Sequence, residues 1–459
     1  MTDGWRCLLL EDAVDILDSR RIPVNSKERS LRTGNVPYYG ATGQVGSIDN
    51  HIFDEELVLL GEDGAPFLDP MKPKAYLVRG KSWVNNHAHV LRGKKDLLNS
   101  FLLYQLNAFD YRPYVSGTTR LKLPQGRMRQ IPLPIPPLDE QRRIVAEIEK
   151  QFTRLDAGVA ALKRVQANLK RYRGSVLKAA CEGRLVQTEA SRSGVSPLNK
   201  QKRQDAASTF EPASVLLERI LEQRRKNWAG RGKYKEPNAP DISKLPELPG
   251  GWVWASVEQL SSPEKYALAI GPFGSNLKVS DYKSHGVPLI FVRNIRNRKF
   301  GDKTAVYVAK KKAEQLVAHH VSGNDVLITK MGDPPGDACL YPPQEPDAII
   351  TADCIKLRLA PILHERTFFV HAINSEVVKH QILGITKGVA QQKVSLGRFL
   401  SIAIPLPPLA EQSRIVAEVE RRLSVIEEIE AVVNANLQRA GRLRQSILQQ
   451  AFSGKLITS

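Results

Sequence analysis

The feature of this sequence that most constrains its fold is an internal duplication. Residues 136–149 read PPLDEQRRIVAEIE and residues 407–420 read PPLAEQSRIVAEVE, so that eleven of fourteen positions are identical at an offset of 271. The same offset pairs VLKAACEGRLV at 176–186 with ILQQAFSGKLI at 447–457. Solenoid repeats have periods of roughly 20–50 residues, much shorter than this one. The pattern therefore predicts two homologous halves within a single chain.

Each copy of the repeat continues as a long amphipathic helix. Roughly 45 helical residues extend about 65 Å at ~1.5 Å per residue, and Gly183 and its copy Gly454 are suitable C-terminal stops. So long an apolar stripe needs a partner, and we expect that partner to be the other copy; the alternative is a pair of ordinary core helices. In the first copy the apolar residues recur at steps of three or four, at Ile144, Ile148, Phe152, Leu155, Val159, Leu162, Val165, Leu169, Tyr172, Val176 and Ala180.

The sequence around the two helices indicates five segments. They are a first globular domain at 1–135, a first long helix at 136–186, a linker at 187–250 with a short helix and a Pro-rich stretch, a second globular domain at 251–406 and a second long helix at 407–459. Both globular segments mix short apolar runs typical of strands, such as LVLLGEDG at 57–64, with short helical patches. The predicted fold class is therefore α+β, present in two copies.

The net charge narrows the range of partners. The chain has 67 Lys and Arg against 48 Asp and Glu, a formal net charge of +19, which favours a polyanion such as nucleic acid. We expect no membrane-spanning helix, since no apolar run approaches the ~20 residues required, and no secretory signal, because acidic residues interrupt the N-terminal segment. The four cysteines form no CxxC pair. We therefore expect neither a disulfide framework nor a zinc site, and a cytoplasmic protein.

Basic residues cluster in both globular segments. Residues 72–129 contain twelve Lys and Arg but only two acids, and residues 293–299 read RNIRNRK. Such side chains neutralise phosphates, and those with forked ends can also bind base edges. One cluster alone could be an ordinary solvated surface, but two matched clusters favour a nucleic-acid interface.

Three apparent catalytic motifs are weak. AYLVRGKS at 75–82 matches a relaxed P-loop pattern but lacks the glycines that wrap a phosphate. Asp333-Pro334-Pro335 resembles an amino-methyltransferase motif without the aromatic residue that stacks on a flipped base. The histidines of NNHAH at 85–89 have no third metal ligand at a suitable spacing. We therefore expect no catalytic site, no metal site, and a structural or hydrogen-bonding role for these histidines.

Two variable domains, each followed by a PPLxEQxRIVAExE helix that ends in GRL or GKL, resemble the specificity subunit of type I restriction–modification enzymes. The resemblance extends over nearly the whole chain, including VPYYGATGQVGSIDNHIF at 36–53, WVNNHAHVL at 83–91 and GNDVLITKMGD at 323–333. The loops SGTTRLKLPQGRM at 116–128 and KGVAQQKVSLGRF at 387–399 differ from each other. In this family such a difference implies that the two domains bind different bases.

The resemblance implies a DNA-recognition subunit without catalytic activity. Each domain would bind one half of an asymmetric bipartite site in double-stranded DNA, and the two long helices, packed antiparallel, would set the spacing between the halves. Two methyltransferase subunits carrying S-adenosylmethionine would dock on the helices, and restriction (motor-nuclease) subunits using ATP and Mg²⁺ would add cleavage. No cofactor is expected in this chain. Two other hypotheses remain: an amino-methyltransferase acting through Asp333-Pro334-Pro335, and a coiled-coil scaffold whose basic charge is incidental.

Polarity, loop context and the matched offset indicate the residues expected to contact DNA. They are Arg112, Thr118, Thr119, Arg120 and Lys122 in the first domain and Arg293, Asn294, Arg296, Lys330, Gln391, Gln392 and Lys393 in the second. A second set begins the two long helices and is expected either to dock the partner subunits or to cap the helices. It comprises Glu140, Gln141 and Arg143, with their copies Glu411, Gln412 and Arg414.

Overall fold

The structure, a computed structural model, describes residues 4–188, 211–228, 233–296, 298–301, 305–332, 334–386 and 393–456. The chain divides into two units. Unit 1 consists of residues 1–166 and 430–459, and unit 2 consists of residues 167–429. Each unit contains one globular α+β domain together with one half of each long helix, so the predicted fold class is confirmed.

The described part of unit 1 is built from ten short strands and the helices around them. The strands are β1 (Arg6–Leu9), β2 (Val14–Ile16), β3 (Val36–Gly40), β4 (Gly43–Ile48), β5 (Phe53–Asp54), β6 (Leu57–Gly61), β7 (Ala75–Val78), β8 (Lys81–Val84), β9 (Ala88–Gly93) and β10 (Pro132–Ile135). The helices are α1 (Leu10–Ala13), α2 (Ser26–Leu31), α3 (Asn99–Ala108), α4 (Gln125–Arg129) and the long helix α5 (Leu138–Cys181), with a 3₁₀ turn at Asp18–Arg20.

The strands of unit 1 form three sheets. One is antiparallel in the order β2-β9-β6-β7, a second has the order β4-β3-β8-β5 with β3 and β8 parallel, and β1 pairs with β10. Strand β6 is a continuous apolar run because both of its faces are buried. Its alternating side chains enter two cores, with Val58 and Leu60 in one and Leu57 and Leu59 in the other.

Unit 2 adds thirteen described strands. They are β11 (Val253–Ser256), β12 (Leu268–Ile270), β13 (Tyr282–Lys283), β14 (Val287–Ile290), β15 (Ile295–Arg296), β16 (Lys299–Phe300), β17 (Val306–Val308), β18 (His320–Val321), β19 (Val326–Thr329), β20 (Ala338–Leu340), β21 (Ala348–Ile350), β22 (Cys354–Leu357) and β23 (Ala403–Leu406). Its helices are α6 (Ala213–Lys226), α7 (Val257–Leu260), α8 (Lys310–Gln315), α9 (Arg366–Ile373), α10 (Glu376–Gly384), α11 (Leu396–Phe399) and the long helix α12 (Leu409–Phe452).

The sheets of unit 2 repeat those of unit 1. The antiparallel sheet has the order β12-β22-β19-β20, and the mixed sheet has the order β13-β17-β14-β21-β18, with β14 and β21 parallel. Strand β11 pairs with β23 just before α12, as β1 pairs with β10 just before α5. The duplication therefore includes the globular domains, where the sequences have diverged.

The long helices pack against each other inside each unit. In unit 1, Ile148 near the start of α5 shares a core with Ile447 near the end of α12, and Gln166 Nε2 donates to Asn434 Oδ1 at 3.1 Å. In unit 2 the opposite ends meet, since Val176 of α5 shares a core with Val419 of α12. The helices are therefore antiparallel, as predicted.

The predicted apolar stripe is only partly buried. Val165 and Tyr172 of α5 are 39% and 46% exposed, because a two-helix seam covers a narrower stripe than a full core does. The helices end two residues before the predicted glycines, Gly183 and Gly454, which have positive φ. The residue after each glycine donates its backbone N–H to a carbonyl five residues earlier, and Arg184 N reaches Ala179 O at 2.9 Å in this way.

One segment of the predicted linker is part of unit 2. The buried face of α6, formed by Ala213, Leu216 and Ile220, lies in the main core of that unit, because these residues recur at helical spacing and meet apolar partners. Residues 189–210 of the linker lie outside the described residues. Among the described helices, none combines the length and the hydropathy needed to span a bilayer.

Candidate nucleic-acid interface

The duplicated motif joins each long helix to its own globular domain. The indole Nε1 of Trp5 donates to Glu140 Oε1 at 3.0 Å, and that of Trp252 donates to Glu411 Oε2 at 2.7 Å. Each tryptophan precedes the first strand of its domain. The two bonds therefore tie the start of the domain to the start of the helix that follows it.

The neighbouring glutamines also form hydrogen bonds within the chain. Gln141 Nε2 donates to Pro136 O at 2.8 Å, and Gln412 Nε2 donates to Pro407 O at 2.9 Å. Glu411, Gln141 and Gln412 are fully buried, so these side chains are not accessible for the partner docking that the sequence left open. Glu140 and Glu411 hold each domain on its helix, and the two glutamines bond the chain at the entry to each helix.

Of the same predicted set, Glu140 and the two arginines retain accessible surface. Arg143 is exposed and Arg414 is half-buried. Their expected role in partner docking stays a prediction.

Most of the residues predicted to contact DNA in unit 1 lie in one loop, residues 116–122, which we name loop 1. Ser116 and Lys122 exchange two backbone hydrogen bonds, of 2.9 and 2.8 Å, at its base. Gly117 has a φ of +104° and would place a Cβ 2.4 Å from Arg120 O, so the tight turn requires glycine. Thr118, Thr119 and Arg120 are exposed at the tip. Arg112 lies before the loop and pairs with Asp110 at 2.6 Å, also exposed.

Loop 1 packs on the acidic end of strand β6. Leu123 N donates to Glu62 O at 2.8 Å, which joins the loop to the strand. The cations of the loop meet the acids there: Arg120 Nε lies 2.8 Å from Asp63 Oδ1, and Lys122 Nζ lies 3.6 Å from Glu62 Oε1. The basic charge of loop 1 is thus partly neutralised within unit 1.

A buried polar network lies beneath loop 1. His89, which is fully buried, donates from Nδ1 to Asp18 Oδ2 at 2.6 Å and from Nε2 to Leu123 O at 2.9 Å. Gln125 Nε2 also donates to Asp18 Oδ2, at 2.9 Å. Arg21 bridges Asp18 and Glu62, with 2.8 Å between its Nη1 and Glu62 Oε2. We name Asp18, Arg21, Glu62, His89 and Gln125 the unit 1 network.

The network also shifts the pKa of Asp18 and occupies the ring nitrogens of His89. Burial alone raises the pKa of Asp18, but the hydrogen bond and the charge of His89 outweigh it and hold that pKa below its ordinary value. Asp18, Glu62 and His89 bring ligand atoms within 4.8 Å of one another, a grouping that sequence spacing did not reveal. These atoms already bind one another, in keeping with the hydrogen-bonding role expected for the histidines.

Unit 2 has an equivalent position with the opposite charge. Val394 N donates to Lys330 O at 3.1 Å, as Leu123 N does to Glu62 O in unit 1. Lys330 N in turn donates to Asp353 O at 2.8 Å, as Glu62 N does to His87 O at the same distance. Lys330 therefore occupies the place of Glu62.

The next residue along the strand also changes charge. The bridge from Met331 to Lys393 matches the bridge from Asp63 to Lys122. The acidic pair that neutralises loop 1 is thus replaced in unit 2 by a lysine and a methionine.

The place of the unit 1 network is a cavity in unit 2. Ile270 lies opposite Ile355 where Asp18 contacts His89, and Leu396 stands at the repeat position of Gln125. The resulting cavity of about 380 Å³ is lined by Ile270, Phe273, Lys330, Lys393, Leu396 and Arg398 among others. We name it the unit 2 pocket.

Lys330 is the most buried cation of the unit 2 pocket. Its Nζ lies 4.2 Å from the ring centroid of Phe273 and donates to Ala352 O at 3.3 Å. Burial lowers the pKa of Lys330. Phe273 itself is 52% exposed. Sequence reasoning missed this aromatic residue; its signal is a phenylalanine between glycines in GPFGSN at 271–276, a loop context that does not bury large apolar side chains.

One residue predicted to contact DNA in unit 2 does not lie at the surface. Asn294 is buried, and its side-chain amide accepts from Phe291 N at 2.8 Å and donates to Gly301 O at 3.1 Å. Burial and these two bonds argue against a base contact in this conformation, and the role of Asn294 in DNA binding stays a prediction. Its neighbour Arg293 stacks on the Phe291 ring at 4.2 Å and stays in the predicted set.

The structure describes only some of the side chains of the other predicted residues. Lys393 is exposed at the rim of the unit 2 pocket. Arg296 belongs to β15, but its side chain lies outside the described residues, as do Gln391, Gln392 and Asp333. The structure therefore brings Lys330 and Lys393 together in unit 2, and Arg120 and Lys122 together in unit 1.

Comparison with known proteins gives a consistent family. The profile of the family described as "Type I restriction modification DNA specificity domain" matches residues 3–167 and 289–438. The Type I restriction enzyme EcoDI specificity subunit of Escherichia coli is 23% identical over 98% of this chain and 88% of its own length. A putative type I restriction enzyme specificity subunit of Haemophilus influenzae, S.HindORF215P, is 39% identical over 137 residues, 30% of this chain and 34% of that protein.

The fold comparison agrees. A chain from a solved structure on complex assembly and conformational transition of the type I R-M system superposes with a TM-score of 0.58 at 16% identity, over 99% of both chains. At this identity the likeness shows the fold alone.

Proposed function

Since this chain belongs to the family of type I restriction–modification DNA specificity domain proteins, we propose that it is the DNA sequence-recognition subunit of a type I restriction–modification complex. Unit 1 and unit 2 each bind one half of an asymmetric, bipartite DNA site. The observation that carries this proposal is the repeated fold with different chemistry at the same place, a network of paired charges in unit 1 and a cationic pocket in unit 2.

The repeated fold explains why the site has two parts. The antiparallel sheets of the two units have matching strand orders, β2-β9-β6-β7 and β12-β22-β19-β20, so each unit can approach DNA in the same manner. Different side chains there bind different base edges. A duplicated chain thereby imitates a symmetric dimer, but its two half-sites do not have to match.

The chain supplies recognition rather than catalysis. Two methyltransferase subunits dock along α5 and α12 and hold S-adenosylmethionine, and restriction subunits use ATP and Mg²⁺ for cleavage. The support is the family together with two long helices whose outer faces keep apolar residues such as Val425, Ile429 and Val432 exposed. The family match favours neither the methyltransferase nor the scaffold hypothesis. We propose the cytoplasm as the site of action, in keeping with four free cysteines.

The proposal is tested by DNA binding of the complex with its methyltransferase subunits. We expect Arg120→Ala or Lys393→Ala to weaken specific binding by ~1–3 kcal/mol, because each removes a cation that contacts a base or phosphate. The measurement is fluorescence anisotropy with the target duplex at fixed salt. Arg219→Ala, on α6 and paired with Glu211, is the matched control and leaves the affinity unchanged. Unchanged affinity in both test variants contradicts the assignment of these loops.

The spacing role of the helices has its own test. Four residues added to α5, and four added opposite them to α12, lengthen both helices by ~6 Å, or about two base pairs of DNA. We expect the unread spacer of the methylated site to lengthen accordingly, as measured by methylation profiling of cellular DNA. Four residues added to the linker at 189–210 are the control and leave the spacer as it is. A spacer that does not change when the helices grow rules out the spacing role.

A further inference from the structure

The residues that line the unit 2 pocket distinguish it from an ordinary surface cleft. Its floor is apolar, with Ile270 and Leu396, and it is bounded by three cations, Lys330, Lys393 and Arg398. A volume of about 380 Å³ lies in the range of small-ligand sites. An apolar floor with a cationic rim suits a flat, apolar group that carries a negative charge.

Phe273 gives the pocket a stacking surface. One face of its ring is covered by the Lys330 ammonium at 4.2 Å, yet half of the side chain remains exposed. A cation behind a ring holds the ring in place and leaves the opposite face for another π system. Aromatic side chains arranged in this way bind unstacked bases in many nucleic-acid-binding proteins.

The cations are placed for a phosphate. Lys393 and Arg398 are exposed at the rim, and Arg398 is oriented by a hydrogen bond from its Nη1 to Ile385 O at 3.2 Å. The carboxylate whose charge acts on Lys330 is that of Asp353, which leaves the pocket with net positive charge. A phosphate at the rim would therefore meet two cations while the base rests on Phe273.

We propose that the unit 2 pocket binds one nucleotide, with its base stacked on the free face of Phe273 and its phosphate held by Lys393 and Arg398. This inference rests on the proposed function, because we take the nucleotide to be one of the DNA target, unstacked from its neighbours. Unit 1 cannot bind a nucleotide in the same way, since Asp18, His89 and Gln125 fill the equivalent place.

The test is fluorescence scanning of the target duplex in the complex with the methyltransferase subunits. 2-Aminopurine or pyrrolocytosine replaces one base at a time, and both probes change in emission when a base leaves the stack. We expect one position in the half-site bound by unit 2 to respond. Phe273→Ala abolishes that response and weakens specific binding about tenfold, in line with the loss of one base–aromatic stack.

The chain offers a matched control. Tyr266 is also partly exposed and also carries a lysine over its ring, with Lys265 Nζ 4.7 Å from the centroid, but it lies outside the pocket. Tyr266→Ala therefore keeps both the fluorescence response and the affinity. A response that survives Phe273→Ala, or a scan in which no position responds although the wild-type complex binds the duplex, overturns the pocket and leaves the proposed function standing. A wild-type complex that does not bind its duplex specifically overturns the proposed function itself.

A second experiment tests whether the pocket binds a nucleotide of the DNA target or a free nucleotide. Thymidine monophosphate is titrated into the same complex by calorimetry, with and without the target duplex. We expect any binding of the mononucleotide to be competed by the duplex and to be lost in Phe273→Ala. Binding that persists beside the bound duplex would assign the pocket to a free nucleotide, against the proposal.

Discussion

The unit 1 network and the unit 2 pocket occupy the same place in two copies of one fold, yet they share almost no chemistry. In unit 1, Asp18 and His89 fill the space and Glu62 neutralises the cation beside it. In unit 2, Ile270 and Ile355 stand at the positions of Asp18 and His89, a cavity takes the place of the network, and Lys330 replaces the acid. The backbone bonds that join loop to strand are present in both.

The comparison separates what holds the fold from what diversifies it. The shared bonds, from Leu123 N to Glu62 O and from Val394 N to Lys330 O, use only the backbone and tolerate either charge at the strand end. Side chains can therefore change sign and polarity while these backbone bonds are kept. Such an arrangement allows two duplicated domains to acquire different DNA sites while keeping one scaffold.

The largest expected effect comes from breaking the unit 1 network. His89→Ala removes one partner of a buried charged pair, which typically costs about 3–5 kcal/mol in the free energy of unfolding. Hydrogen exchange of amides in β6 and β9 under increasing urea measures the loss of stability in unit 1. His87→Ala is the control, because His87 is partly exposed, and it should change stability by less than ~0.5 kcal/mol.

A triple variant sharpens this prediction. Asp18→Ile, His89→Ile and Gln125→Leu together copy the unit 2 residues, and replacing a buried polar group by apolar residues of similar size is often close to neutral. We expect the triple variant to recover at least half of the stability lost in His89→Ala. If it is less stable than the single variant, the two places are not interchangeable.

A smaller effect is expected from exchanging the charges at the strand ends. Asp63→Met frees Arg120 in unit 1, and Met331→Asp places an acid beside Lys393 in unit 2. Each phosphate that a cation neutralises adds about 0.9 to the slope of log affinity against log salt. The first variant should steepen the slope and the second should reduce it, each by up to that amount, in non-specific DNA binding. Shifts of the same sign would contradict the comparison.

The smallest effect is the response of unit 1 to acid. The pKa of Asp18 is lower in the folded than in the unfolded state, so its contribution to stability is complete above the ordinary pKa of 3.8 and is lost as the pH falls through the folded value. A single group changes the free energy of unfolding by at most ~1.4 kcal/mol per pH unit. Acid titrations of the wild type and the triple variant, followed by hydrogen exchange, should differ in this range, and coinciding curves would exclude the effect.

The long helices were predictable from sequence because their signal is local and repeated. Apolar residues at steps of three and four, with a glycine after the C-terminal end of each helix, leave few alternatives to a paired helix. The shared sheets were not predictable, since strands such as β6 and β19 have in common only short apolar runs. The structural repeat therefore extends further than the repeat in sequence.

The sites were harder to predict because their members are distant in sequence. Asp18 and His89 are separated by 71 residues, so no spacing rule connects them. Asn294 was selected for its polarity, yet it binds its own backbone; polarity does not distinguish a surface amide from a buried one. Glu411 and Gln412 belong to the most repeated motif and both form internal bonds: Glu411 holds the domain to its helix, and Gln412 bonds the chain at the helix entry.

Methylation profiling of DNA from cells that carry this chain with its methyltransferase subunits tests the central claim most directly. Two units with one fold and different site chemistry predict a methylated motif in two parts, with different sequences separated by unread base pairs. A single uninterrupted motif, or two identical half-sites, would contradict that account.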